Sequence, residues 1–114
     1  MREVERLVQE EKAKIAAETA KITWKELEKL YAQGKLILVS ETLNLVEVGY
    51  SISLDDATKI IAWMEAGLLV KEFNNQAKTW HNEDAEVWSV VVHPFVLVQD
   101  AKNITGYKLK QPTA

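Results

Sequence analysis

The chain has 114 residues, 47% of them hydrophobic and 27% charged, with a formal net charge of −3 and no cysteine. The length suits one soluble domain with one core, and the missing cysteine excludes disulfides, thiolate nucleophiles and cysteine-ligated zinc or iron–sulfur centres. A negative surface repels phosphate backbones, so nucleic acid is not an expected partner.

The opening stretch, MREVERLVQEEKAK, is charged throughout. It lacks the apolar run of a secretory signal, which makes a cytoplasmic location the expectation. Residues 3–18 read as a helix, because Val4, Leu7 and Val8 share a face to which Ile15 returns. Glu11 interrupts that stripe, so this helix is expected to be a peripheral arm. Thr23 followed by Glu26 has the spacing of a capping box. It opens a second helix with an apolar face of Trp24, Leu27, Leu30 and Tyr31, and Gly34 supplies a stop.

KLILVS follows, four aliphatic residues between charge and serine, and reads as a short buried strand. ETLN reads as a turn. The run LVEVGYSIS fits two periods: Val46, Val48, Tyr50 and Ile52 alternate as in a strand, whereas Leu45, Val48, Gly49 and Ile52 fit a helix. The β-branched and aromatic content and the cost of a helical glycine, about 1 kcal/mol, favour the strand. A hairpin over residues 36–53 is therefore expected.

Ser53 to Asp56 has the spacing of another cap, with Asp55 and Asp56 suited to the positive end of a helix dipole. That helix should run to about Ala66 with Ile60, Ile61, Trp63 and Met64 on its buried face and Gly67 at its end. LLVKEF reads as extended, QAKTWH as a short helix and NEDA as a loop. EVWSVVVHPFVLVQ, residues 86–99, is apolar on both faces of a strand, so both faces should be covered, by helices or by a second protomer. It falls short of the roughly 18 to 20 residues that a helix needs to cross a bilayer. Pro94 cannot donate to a strand ladder, so the His93 and Pro94 pair is read as a bend in this long final strand. The sum is one α+β domain: helices at the start, a hairpin and the long final strand in an antiparallel sheet, and a central helix packed on it. Residues 1–17 form the arm, 18–100 the domain and 101–114 a flexible tail.

Chemistry is thinly signalled. His81, with Glu83, Asp84 and Glu86 close behind, has no second histidine at i+3 or i+4, and a solvated acidic loop is the better reading than a metal site. His93 sits in an apolar run and reads as a hydrogen-bonded strand residue rather than a general base. The pairs Asp55 with Asp56 and Glu10 with Glu11 read as helix-start residues. Ser40, Ser51, Ser53 and Ser89 lie in no nucleophile-elbow context, and the four glycines make no phosphate loop. The basic residues Lys102, Lys108 and Lys110 are too sparse to make nucleic acid an expected partner. The four tryptophans, Trp24, Trp63, Trp80 and Trp88, are many for this length. Core packing is the first account of them, and a groove or interface is the second, since an indole joins an apolar body to a polar edge.

Four segments, ETAKITWKEL at 18–27, LNLVEVGYSISLDD at 43–56, IAWMEAGLL at 61–69 and AEVWSVVVHPFVLVQ at 85–99, resemble a small family of uncharacterised bacterial proteins, a domain of unknown function found in cyanobacteria and proteobacteria. The resemblance runs from Glu18 to Gln99. Members often carry Asp where Asn44 stands, and Ala where Gly49 and Ser51 stand. The resemblance implies a stand-alone bacterial protein and brings no activity, cofactor or catalytic residue. The expected function is a non-enzymatic interaction or self-associating module, its partner itself or another protein, with no membrane attachment and no cofactor. The alternative is a small-molecule binder or enzyme with a tryptophan-lined pocket. Candidate interface or pocket residues are Trp24, Trp63, Trp80, Trp88, His93 and Phe95.

Overall fold

The computed structural model describes residues 2–101. Its elements are α1 (Arg2–Glu18), β1 (Ala20–Thr23), α2 (Trp24–Ala32), β2 (Leu36–Val39), α3 (Leu45–Ser53), α4 (Ala57–Glu65), β3 (Leu69–Val70), α5 (Asn74–Glu83), β4 (Glu86–Val92) and β5 (Phe95–Asp100). The strands form one sheet in the order β1-β4-β5-β2-β3. All neighbours are antiparallel except β2 and β5, so the α+β class holds with a mostly antiparallel, mixed sheet. The tail expected over 101–114, with Lys102, Lys108 and Lys110, lies outside the described residues apart from Ala101. Among the described residues no helix is long and apolar enough to cross a membrane.

Strand register sorts the side chains onto two faces. Val90 opposes Leu97, which opposes Ile37, and these join Val39, Val92 and Leu69 in one cluster. Helices α1 and α3 cover it through Ile15, Leu45 and Val48. On the other face Val87, Val98 and Leu36 meet Trp24 and Leu27 of α2 and Trp80 of α5. A strand buried on both sides reads as a continuous apolar run for this reason. The chain's own helices thus provide most of the cover expected for residues 86–99, Val91 remaining 50% exposed.

The single long final strand is corrected to a hairpin. Val92 pairs with Phe95, so His93 and Pro94 are a two-residue turn between β4 and β5, with a cis peptide between them. Both residues are exposed. The apolar run conceals the reversal, because both arms of the hairpin lie in the middle of the sheet and bury most of both faces.

The strand assigned to residues 45–53, and with it the hairpin over 36–53, is also corrected: this segment is α3. Asn44 caps it, its Oδ1 accepting from the backbone N–H groups of Val46 and Glu47 at 2.9 and 3.1 Å. Gly49 is accommodated in the helix interior because the core approaches its Cα closely. A Cβ there would meet Ile15 Cγ2 at 3.2 Å and Val92 Cγ2 at 3.4 Å. The β2 strand instead pairs in parallel with β5 and antiparallel with the two-residue β3.

Two helix starts differ from expectation. Thr23 Oγ1 bonds the Glu26 carboxylate at 3.2 Å and makes no side-chain bond to the backbone, so the capping box is not closed. The residues before it form the edge strand β1, which the sequence pattern leaves unassigned. The helix expected from Ser53 begins after Asp56, which accepts from Lys59 N–H at 3.3 Å, and Asp55 stands at φ 57 in the corner between α3 and α4. Both glycine stops hold: Gly34 and Gly67 sit at φ 75 and 77. In each case the residue after the glycine donates back to the helix, Lys35 to Leu30 and Leu68 to Trp63, the pairing of a Schellman motif.

Candidate interaction surface

Helix α4 is fixed at both ends, by Asp56 at its start and by the Gly67 reversal at its end, yet none of its residues is fully buried. Ile60 and Trp63 pack on the cluster around Val48 and Leu97. Ile61 and Met64 turn away from it, 53% and 39% exposed. The four-residue buried face expected for this helix is therefore half correct. Residues 60, 61, 63 and 64 span about 160° of the helix at roughly 100° per residue, an arc too wide for one contact with a sheet. The helix lies beside α3 and β3 at the rim of the fold, and only its inner half is covered.

Beneath Ile61 and Met64 lies an open cleft of about 480 Å³. Ile37 and Phe95 of the sheet and Ile52 of α3 form its apolar walls. Ser53, Asp55 and the His93 and Pro94 turn form its polar margin. Leu54, between two of those lining residues, is itself exposed. Lys71 brings its ammonium 4.9 Å from the Phe95 ring centre, a cation–π contact that holds the ring. The charged residues of α4, Lys59 and Glu65, are exposed, and neither makes an ion pair among the described residues.

The six residues singled out from sequence separate into two groups. Trp24 and Trp80 are 1% exposed, with ring centres 5.2 Å apart, and they form an aromatic core with Tyr31 and Phe73. Trp88 is half-buried on the sheet, with Lys21 Nζ 5.3 Å from its ring. Trp63 is half-buried on the inner side of α4. Only His93 and Phe95 line the cleft, and no tryptophan does. His93 makes no side-chain hydrogen bond among the described residues, so the strand-held ring expected from sequence is not formed. His81 Nδ1 stands 2.6 Å from Glu28 Oε2, joining α5 to α2 rather than to the acidic residues that follow it. Sequence reasoning missed Ile61 and Met64 as surface residues, and the width of their apolar arc was the available signal.

The model of a family described as a protein of unknown function, DUF2288, matches residues 10–100. The fold is similar to that of PA1075 from Pseudomonas aeruginosa, solved in solution by NMR, with a TM-score of 0.70 and 40% sequence identity over 78% of this chain and 82% of that one. No match was found among curated proteins.

Proposed function

The chain belongs to the DUF2288 family of proteins of unknown function, and we propose that it is a non-enzymatic interaction module of the bacterial cytoplasm whose docking face is the outer side of α4. One observation carries this reading: a helix anchored at both ends keeps Ile61 and Met64 in solvent above an apolar cleft, with Leu54 beside it. Apolar side chains grouped on a surface mark contact sites more often than scattered ones do. The apolar faces of residues 86–99 contribute little to it, because the chain's own helices cover most of them.

Photo-crosslinking in cells tests the reading. A benzophenone amino acid at position 61 should give a discrete protein adduct, whereas the same group at position 78 on α5 should not. Leu54→Asp and Met64→Asp should each abolish the adduct. No adduct at position 61, or the same adduct from both positions, overturns the proposal.

The cleft itself supports a second reading, a small-molecule binder, since about 480 Å³ lies within the range of about 300 to 1,000 Å³ usual for ligand pockets. Its walls are isoleucine and phenylalanine rather than tryptophan. Protein-observed NMR with a fragment set, read out as shift changes at Phe95 and His93, separates this reading from the first.

A further inference from the structure

We infer that two copies of this chain pair through the outer edges of their β1 strands, antiparallel about a two-fold axis at Ile22, so that two sheets become one. This surface is separate from the α4 face. Among the described residues no strand lies beyond β1, which ends the sheet at Ala20–Thr23. Trp24 N–H donates to the Ala85 carbonyl at 2.8 Å, in line with a register in which Ile22 opposes Val87 and Ala20 opposes Ser89. Hydrogen-bonded pairs alternate along an antiparallel ladder, so Ala20 and Ile22 turn their backbone groups to β4, and Lys21 and Thr23 turn theirs outward. An edge of this kind is a template for another strand.

The side chains select the occupant and the register. With the two-fold at Ile22, Lys21 of each copy exchanges two backbone hydrogen bonds with Thr23 of the other. A two-fold at Lys21 would set lysine against lysine, and one at Thr23 would set Lys21 against Lys25, which is already in α2. Lys21 and Thr23 share one face of the strand. Thr23 Oγ1 holds the Glu26 carboxylate at 3.2 Å, and Glu26 makes no ion pair among the described residues of its own chain. Lys21 of the other copy therefore stands opposite a threonine that presents a carboxylate. Its ammonium, 5.3 Å from the Trp88 ring centre in the single chain, swings to Glu26 in the dimer. On the other face the two Ile22 side chains meet at a non-hydrogen-bonded position, where Cα atoms lie about 4.5 Å apart. Ile22 is half-buried against the cluster of Trp24 and Val87, so this contact links the apolar clusters of the two copies.

The same edge serves both copies, so the assembly stops at two. One four-residue strand from each copy makes a small interface and a weak, concentration-dependent dimer. The opposite edge of the sheet, β3, has two residues and offers less.

Sedimentation velocity from low micromolar to near-millimolar protein is the test, with circular dichroism to establish that each variant is folded. The wild type should pass from monomer to dimer. Lys21→Pro removes an outward N–H that β4 does not use, which an edge strand tolerates, and should weaken the dimer at least about tenfold. Lys21→Glu should weaken it as well, and adding Glu26→Lys should restore it. The chain has no cysteine of its own, so Ile22→Cys should oxidise to a disulfide-linked dimer across the axis, whereas cysteines from Ala20→Cys would stand more than about 13 Å apart and should not. A wild type that stays monomeric, single variants without effect, a double exchange that fails to recover, or equal cross-linking at positions 20 and 22 each overturn the inference. Met64→Asp should leave the dimer intact. A dimer that it dissolves is held through α4, which overturns the β1 pairing and leaves the α4 reading standing.

Discussion

Gly49 of α3 lies against Ile15 of α1 so closely that a Cβ on the glycine would stand 3.2 Å from Ile15 Cγ2. Two opposing effects follow for Gly49→Ala. The helix gains about 1 kcal/mol of propensity, and the buried Ile15 must yield by a few tenths of an ångström. The expected net change is less than about 1 kcal/mol, whereas Gly49→Leu should destabilise by about 1 to 3 kcal/mol or more through overpacking. Urea unfolding of the two variants checks this. An alanine variant as damaged as the leucine one would show that the helix contact has no slack.

Gln99 is buried in β5, and its Nε2 donates to the carbonyl oxygens of Ser40 and Leu43, both at 2.9 Å. This ties the loop before α3 to the centre of the sheet. Gln99→Leu should leave both acceptors without a partner, at a cost of about 2 to 3 kcal/mol. The urea midpoint should fall with an unchanged slope. A shift of the midpoint under a quarter of that size would mean that water replaces the amide.

Asn44 is the cap that makes residues 45–53 helical, through two backbone N–H bonds to one side-chain oxygen. Asn44→Ala should cost about 1 kcal/mol, and Asn44→Asp should stay within a few tenths, since aspartate offers the same acceptor and suits the helix dipole. Thermal unfolding distinguishes them. Equal losses in both variants would sink the capping account.

Trp80 packs against Trp24 and Phe73 with almost no exposure. Trp80→Ala should lose about 3 to 5 kcal/mol, a large share of the roughly 5 to 15 kcal/mol that holds a small domain together. Trp80→Phe should keep the fold with a smaller loss. Near-ultraviolet circular dichroism, which reads the aromatic packing, should collapse only for the alanine variant.

His93 lies in the exposed turn of the β4–β5 hairpin. His93→Asn should therefore change stability by no more than about 0.5 kcal/mol, the usual size for a surface site. A loss above about 1 kcal/mol would show that the ring holds the turn after all.

Features that depend on neighbours along the chain were legible in the residues alone. The Gly34 and Gly67 stops, the α1 and α2 helices, the LILV strand and the apolar pairing of Trp24 with Leu27 each rest on a backbone conformation or a period within one segment. Other features depend on contacts between distant segments. Residues 45–53 carry a strand-like composition, and it is the contact of Gly49 with Ile15 and Val92, from distant parts of the chain, that makes the helix fit. Residues 86–99 have no turn signal beyond Pro94, since burial on both faces erases the alternation that would mark two strands. The outward half of α4 shows in sequence only as an apolar arc too wide for one contact: Ile60 and Ile61 are chemically the same, and only the position of α3 and the sheet leaves one covered and the other in solvent.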